Sequence, residues 1–412
     1  MTLRTIECPP DFAQNSACQK KAACHLLGPF LAAAFVCLVG CGHGAGYLSV
    51  EATRDEPTAQ SGAALAWWLP PILSSSQTLT EVSALSSSLC STVAMDGNTA
   101  LFNDSYALRA VVVAFVGGRW QKQATLIPSL PGYVASYPYC PTIALSGDTA
   151  VLGYSQMYGP GSSAWTPQGA VFVFRRSGTT WTQEQALIGW GSSGLGIQIA
   201  LSGDRLVAVT QAGDFLSTYR RTAGSWTRLP LASLNLRSGP RQLSLVGNVL
   251  AIADGNSTAQ VYQTDDVRWT LVDDLAGPVG YTSESVQLQA DRLAVMWAGQ
   301  GRASLPRHTF VQLYQVMAGR WVATQKIEHP YYKPLERDHL GWRLTFDRDW
   351  LLTHDSENGS SFAFRDIAGS WLPSWTIHSG RAHLAVQGSQ VLRGQHRSGG
   401  YASTVPEAFT LR

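Results

Sequence analysis

The residues of this sequence best suited to chemistry are histidines, and they are unevenly distributed. Seven of the nine fall in the last third of the chain, namely His308, His329, His339, His354, His378, His383 and His396. Imidazoles gathered at one face of a fold serve as transition-metal ligands or as acid–base groups. No two of them have the spacing of a zinc-binding or metalloprotease signature. A histidine site therefore requires a fold that brings distant segments together.

A short acidic segment near the C-terminus is the best candidate for a hard cation. Calcium binds several oxygen atoms that converge from alternate positions of a loop. Asp355, Glu357 and Asn358 supply such oxygens, and His339 is a further candidate ligand. Our prediction is that the protein has no resident cofactor, and a weak calcium or transition-metal site at these residues is the alternative.

Catalytic signatures are missing from the sequence. It contains no nucleotide-binding loop, no serine nucleophile elbow and no pair of catalytic cysteines. We therefore assign no catalytic residue. Enzymes can also assemble their sites from distant loops, so the sequence leaves an enzyme open as an alternative.

The first 41 residues have the pattern of an export signal. Lys20 and Lys21 precede an apolar run over residues 26–40, which is too short to cross a bilayer as a permanent helix. The run ends in Leu38-Val39-Gly40-Cys41, which resembles the lipobox of bacterial lipoproteins. The resemblance implies a signal peptide over residues 1–40 and a lipid, including palmitate, on Cys41. The rival interpretations are a secreted protein with a chance cysteine and a single-pass anchor.

The segment after Cys41 is rich in small and polar residues. We interpret residues 41–62 as a flexible tether and residues 63–412 as the folded domain. Gly42 stands where an aspartate would indicate retention in the inner membrane, so the lipobox resemblance favours the outer membrane. The expected location is the extracytoplasmic side of a bacterial cell envelope.

The composition is typical of an all-β protein with many turns. Charged residues make up only 14% of the 412 residues, beside 39 glycines and 14 tryptophans, and the formal net charge is +2. A chain this close to neutrality, without runs of Lys or Arg, is not expected to bind nucleic acid.

Two markers recur in step along the chain at intervals of roughly 50 residues. The first is a tryptophan, at Trp120, Trp181, Trp226, Trp269, Trp321 and Trp371. The second is a tight turn, at Gly97-Asn98, Gly147-Asp148, Gly203-Asp204, Gly247-Asn248, Ala290-Asp291, Arg348-Asp349 and Gly388-Ser389. The clearest copy predicts four strands over residues 142–145, 149–153, 170–175 and 181–187. Four antiparallel strands per repeat are typical of a propeller blade.

Residues 143–153 and 169–183 of that copy resemble the FG-GAP repeat of integrin α-chain-like β-propellers. The resemblance covers roughly residues 83–412 and implies a seven-bladed β-propeller that serves recognition. We expect a strand within residues 66–73, including Trp68, to complete the last blade and close the ring. Cys90 and Cys140 each lie seven residues before a turn glycine, so we predict a disulfide between them, with two buried thiols as the alternative.

The sequence thus favours a membrane-tethered, non-catalytic recognition or scaffolding module that is monomeric and binds an envelope protein or a glycan. The alternative is a lipid-anchored polysaccharide hydrolase or lyase. Its site would combine the late histidines with Glu336, Asp338 or Asp355.

Overall fold

A computed structural model describes most of the region that carries the repeats. The described residues are 23–25, 36–38, 72–83, 92–104, 108–135, 141–160, 166–211, 216–229, 241–299, 308–330, 340, 343–355, 360–378, 383–394 and 406–411. The chain divides into two units, Met1–Ala64 and Leu65–Arg412. In the first unit, Ala23–His25 pairs antiparallel with Val36–Leu38. In the part of the chain that is described, no helix has the length and apolarity needed to span a membrane.

The second unit is a seven-bladed β-propeller of four-stranded antiparallel blades, as the sequence predicted. Within each blade the strands follow one another from the channel outward, and we number them one to four in that order. Blade 1 consists of Val93–Asp96, Thr99–Asp104, Arg109–Val116 and Arg119–Leu126, blade 2 of Thr142–Ser146, Thr149–Tyr154, Ala170–Ser177 and Thr180–Ile188, and blade 3 of Gln198–Ser202, Arg205–Val209, Leu216–Thr222 and Ser225–Arg228. Blade 4 consists of Gln242–Val246, Val249–Ala253, Thr258–Thr264 and Trp269–Ala276, blade 5 of Tyr281–Gln289, Arg292–Gly299, Thr309–Met317 and Arg320–Ile327, and blade 6 of Arg343–Asp347, Trp350–Asp355, Ser360–Ile367 and Ser370–His378.

The seventh blade is completed by a strand from the other end of the unit. Its first three strands are Leu384–Gln387, Gln390–Arg393 and Glu407–Thr410, and the fourth is Gln77–Thr78, which pairs with Ala408 and Glu407. The predicted three-plus-one closure is confirmed, but the predicted position of the strand is wrong. Most of residues 66–73 lie outside the described residues, and the pairing begins at Gln77. A short helix, Thr80–Ser83, follows and buries Val82 against blade 1.

Strands two and three of each blade form the core because neighbouring blades cover both of their faces. Every residue of Thr149–Tyr154 is buried, as its nearly continuous apolar sequence predicts. The remaining elements are small, and Val134–Ala135 pairs with Met157–Tyr158 beside blade 2.

The seven turn markers join strands one and two of each blade. Each marker begins with a residue at positive φ, between 46° and 58°, in the left-handed region that glycine favours. Glycine occupies this position in five blades, whereas Ala290 and Arg348 occupy it in blades 5 and 6. The turns also bond to one another: the Gly147 amide donates to Asp96 Oδ2 at 2.6 Å, and the Gly203 amide donates to Ser146 Oγ at 3.0 Å.

A glutamine on strand four links each of several blades to the next. Gln185 Nε2 donates to the Trp226 carbonyl oxygen at 2.9 Å, and its Oε1 accepts from the Trp226 amide at 2.8 Å. Gln325 makes the same two bonds to Trp371, and Gln77 makes them to Trp120. We call this paired contact the glutamine clasp. The Gln77 clasp lies between blades 7 and 1, and it therefore seals the ring.

Candidate functional site

The central channel is the candidate binding site of the propeller. It has a volume of about 970 Å³ and is lined by residues from all seven blades. Strand one of every blade contacts strand one of both neighbouring blades, so the wall of the channel is continuous. A ligand must therefore enter along the axis of the ring. Concave sites lined by converging polar groups are typical ligand-binding sites.

A ring of polar residues surrounds the end of the channel at which strand one begins. Counted back from the turn markers, the fifth residue is polar in every blade: Thr92, Thr142, Gln198, Gln242, Ser285, Arg343 and His383. We call these seven residues the mouth ring. Six of them line the channel, whereas Ser285 is fully buried beside it and the adjacent Glu284 lines the channel in blade 5. Hydroxyl, amide and imidazole groups predominate, and Arg343 is the only member with a permanent charge. The mouth therefore offers hydrogen bonds on all sides but a cation on one side.

The layer below the mouth ring is lined by smaller side chains. The third residue before each marker is Ala94, Ala144, Ala200, Ser244, Gln287, Thr345 or Ala385, and all of these residues line the channel. Alanine occupies this position in blades 1 to 3 and in blade 7, whereas blades 4 to 6 carry the polar residues. The polar side of this layer thus lies below Gln242, Ser285 and Arg343 of the mouth ring.

Arg343 is the cation of the mouth ring. Its Nη1 lies 3.1 Å from His383 Nδ1, and because a guanidinium only donates, Nδ1 is the acceptor and the imidazole carries its proton on Nε2. Arg343 is exposed to the channel, and the blades around it desolvate the guanidinium in part, which lowers the pKa of Arg343. Among the described residues no carboxylate forms an ion pair with it. Arg343 is thus a partly desolvated cation bonded to a neutral group.

The opposite charge at the mouth is already paired. Strand one of blade 5 shifts register between Ser283 and Ser285, so Glu284 is the extra residue of a β-bulge. The side chain of Glu284 is only 8% exposed and forms an ion pair with Arg241 of blade 4, and it also accepts a hydrogen bond of 3.0 Å from the Thr282 hydroxyl. Arg241 and Glu284 neutralise each other, so among the described residues that line the mouth Arg343 is the cation that no carboxylate neutralises.

Other members of the mouth ring also hold the blades together. The Thr142 hydroxyl donates to the Gly196 carbonyl oxygen of the neighbouring segment at 2.8 Å. The Ser285 hydroxyl donates to Gln242 Oε1 and accepts from the Leu344 amide. These bonds connect blades 2 and 3, blades 4 and 5, and blades 5 and 6. They fix the positions of the ring before any ligand arrives, and such preorganisation favours binding.

The late histidines are only partly brought together. His354 lies opposite Arg343 in the register of blade 6, and its ring centroid is 6.4 Å from that of His383. His308 instead bonds to the Tyr281 hydroxyl at 2.8 Å, and His329 packs against Phe362. The described residues contain no group of three His, Cys, Asp or Glu side chains arranged to hold a metal ion.

Most of the residues singled out from the sequence fall outside the described part of the chain. This is the case for Cys41, Cys90, Cys140, Glu357, Asn358 and His339, and Asp355 is placed only as the last residue of a strand. The lipid attachment, the disulfide and the cation site therefore stay predictions. The sequence analysis did not identify the mouth ring. The sequence does contain the pattern that reveals it, since the fifth residue before each turn marker is polar.

Comparison with solved structures agrees with the architecture. One chain from a structure of the mitotic checkpoint complex matches with a TM-score of 0.54 and 10% identity, over 82% of this chain and 95% of that chain. Hydrazine synthase of Kuenenia stuttgartiensis matches with a TM-score of 0.50 and 10% identity, over 75% and 93%. A periplasmic gluconolactonase of Pseudomonas aeruginosa matches with a TM-score of 0.47 and 15% identity, over 78% and 88%.

The likeness to these structures concerns the fold alone. Their identities are low, and proteins as different as a checkpoint complex and an enzyme share the architecture. No protein-family model matches the sequence, and no curated protein matches it either.

Proposed function

We propose that this protein is a membrane-tethered recognition module that binds an envelope glycan or protein at the mouth of its propeller channel, without catalysis. The observation that carries the proposal is the mouth ring, in which six blades place the polar side chain of their ring residue around one opening and blade 5 contributes Glu284. Several of these groups are fixed by bonds to a neighbouring blade. Rigid, convergent hydrogen-bonding groups are what a polar ligand requires.

The partnerships at the mouth support binding over catalysis. Glu284 is engaged with Arg241, and His383 Nδ1 accepts a hydrogen bond from Arg343. His354 Nδ1 is 3.1 Å from the Ser361 hydroxyl within its own blade. A general acid or base must reach a reacting group with the appropriate proton, and each of these groups is instead engaged by another side chain of the protein.

The support for a membrane tether comes from the sequence. The resemblance of Leu38-Val39-Gly40-Cys41 to a lipobox supports lipid attachment at Cys41 and a place in a bacterial cell envelope, with the outer membrane favoured. The resemblance of residues 143–153 and 169–183 to the FG-GAP repeat supports recognition. A Cys41→Ala variant should move from the detergent phase to the aqueous phase on temperature-induced phase separation, and unchanged partitioning would overturn the lipid anchor.

The binding proposal is tested with the full-length chain in detergent micelles. The protein is titrated with a panel of neutral and acidic oligosaccharides by calorimetry, and each mixture is then analysed for cleavage products by mass spectrometry. We expect binding without products, and binding weakened by Gln198→Ala at the mouth but unaffected by Gln121→Ala on the outer strand of blade 1. Products formed by the wild-type protein would establish the hydrolase or lyase alternative.

A further inference from the structure

We propose that Arg343 makes the mouth of the channel a carboxylate site, and that its ligand is a uronic acid residue at the end of an acidic glycan. This inference rests on the proposed recognition function and names the chemical class of its ligand. It starts from the asymmetry of the mouth ring, in which one cation stands among six groups without a permanent charge.

The charge of Arg343 is available to a ligand. Its described partner, His383, accepts through Nδ1 and brings no negative charge. Of the other charged residues that line the channel, Arg241 and Glu284 are paired with each other, and Asp347 accepts hydrogen bonds from Gln289 Nε2 and the Gly388 amide at the turn end of its strand. A cation on the wall of a channel attracts an incoming anion more strongly than one on an open surface, because the surrounding protein concentrates its field in the opening.

The side chain has the geometry that a carboxylate requires. A guanidinium presents its donors as a planar fork that matches the two oxygens of a carboxylate. One of its Nη atoms is used on His383, which holds the side chain between blades 6 and 7. A carboxylate would bond to the remaining donors without displacing an acidic side chain.

The rest of the mouth ring favours a sugar acid over an acidic peptide. Threonine hydroxyls and glutamine amides from blades 1 to 4 both donate and accept, as the hydroxyl groups of a sugar do. A peptide would bring backbone amides in an extended chain, whereas the continuous channel wall admits a ligand along the axis. A uronic acid residue at the end of a glycan chain carries one carboxylate next to several hydroxyl groups. It therefore matches both the polar groups of the mouth ring and a channel that is entered along its axis.

The test uses full-length protein in detergent and trimers of galacturonate, glucuronate and mannuronate, followed by calorimetry. At least one trimer should bind, and its uncharged methyl ester should bind at least tenfold more weakly. Arg343→Gln should lower the affinity at least tenfold, and Arg343→Lys should retain part of it, since lysine keeps the charge but loses the fork. Arg320→Gln removes an equal charge from an exposed strand end of blade 5 and should leave binding unchanged.

Each contrary outcome identifies what has failed. Equal affinity for the trimer and its ester, or for the wild type and a folded Arg343→Gln variant, overturns the carboxylate site. Binding of a triglutamate peptide that depends on Arg343, without binding of any uronate trimer, overturns the glycan in favour of a protein carboxylate. Binding of neutral oligosaccharides alone overturns this inference but leaves the recognition function in place. Thermal melts of each variant show that it is folded.

Discussion

Ala290 and Arg348 hold a backbone conformation that glycine holds at the equivalent turn of five other blades. A side chain with a Cβ atom is strained there, because the Cβ approaches the following carbonyl oxygen. Replacing Ala290 with Gly removes that strain of about 1–2 kcal/mol and adds about 0.5–1 kcal/mol of backbone entropy loss on folding. We expect Ala290→Gly to raise the free energy of unfolding by about 0.5–1 kcal/mol in urea titrations.

The matched control is the reverse change in blade 4. Gly247 lies at φ 58°, and a Cβ atom there would meet nothing within 4 Å. Gly247→Ala should therefore lower the free energy of unfolding through backbone strain alone. Stabilisation by Gly247→Ala, or destabilisation by Ala290→Gly, would contradict the account of the turns.

Glu184 and Arg221 form a half-buried ion pair between blades 2 and 3. Hydrogen bonds from Arg221, at 2.6 Å, and from Trp226 Nε1, at 3.0 Å, hold the pKa of Glu184 below its ordinary value, although burial acts in the opposite direction. A lowered folded-state pKa stabilises the protein above the unfolded pKa of about 4.5, and the stabilisation is lost as the pH falls through the folded value.

Glu184→Gln should therefore destabilise the protein by about 1–2 kcal/mol at pH 7, with a difference from wild type that shrinks as the pH falls from 5 to 3. Thermal melts across that range measure it. The exposed Glu328, which pairs with Lys326, offers a comparison. Glu328→Gln should change the stability at pH 7 by well under about 1 kcal/mol. A constant Glu184→Gln difference down to pH 3 would show that the pair is not what stabilises this interface.

Individual residues of the site were predictable only in part. The turn glycines were evident because only a few residue types tolerate positive φ, and the same turns provide the alignment that reveals the mouth ring. The bulge that places Glu284 beside Arg241 could not be predicted, since one extra residue in a strand leaves no mark in a pattern of polar side chains. The partners of the late histidines lie on another strand of the same blade, as for His308 and His354, or on a neighbouring blade, as for His383, so they could not be predicted from local sequence.

Strand four illustrates how one element stabilises the next. The clasp of Gln185 satisfies both the amide and the carbonyl of Trp226, whose side chain is 2% exposed. Removing it leaves a backbone donor and acceptor without these partners in a half-buried interface. We expect Gln185→Ala to lower the free energy of unfolding by about 1–3 kcal/mol in urea titrations.

Two further variants test whether the clasp, and not glutamine as such, is responsible. Gln325→Ala removes the same pair of bonds between blades 5 and 6 and should have an effect of similar size. Gln121→Ala removes only an exposed bond of 3.4 Å and should change stability by less than about 0.5 kcal/mol. Equal effects of all three substitutions would contradict a role for the clasp.

The position of the closing strand shows a limit of prediction at the scale of elements. The rhythm of the tryptophans pointed to Trp68, but the clasp fixes the register differently. In blade 2 the clasp residue Gln185 stands four positions after Trp181, and four positions before Gln77 stands Leu73. Leu73 packs, partly buried, against the core between blades 6 and 7, and its amide donates to the Thr376 carbonyl oxygen of blade 6 at 2.8 Å. The spacing of the tryptophans predicted that an N-terminal strand closes the ring, but side-chain contacts were needed to locate that strand.

At the scale of the whole molecule, stability should depend on residues 72–83. They supply the fourth strand of blade 7, the Gln77 clasp, and the buried side chains of Leu79 and Val82. A chain that begins at residue 84 should lose at least about 3 kcal/mol relative to one that begins at residue 65, because two aliphatic side chains no longer bury their surface. Urea titration of both chains measures the difference.

Adding back the missing segment provides the control. A synthetic peptide of residues 65–84 should raise the melting temperature of the shortened chain, and the same peptide with Gln77→Ala should raise it less. If the shortened chain is as stable as the longer one, the ring does not depend on this strand.

Closure of the ring by its two ends also governs when the fold can form. The Ser76 hydroxyl donates to the carbonyl oxygen of Ala408, across 332 positions of sequence. A ribosome makes the closing strand, Gln77–Thr78, before the other strands of the propeller and makes its partner, Glu407–Thr410, after all of them. A nascent chain therefore stays an unsealed stack of blades with exposed edges until Glu407–Thr410 has been synthesised, and anything that slows elongation through the propeller prolongs its exposure to aggregation.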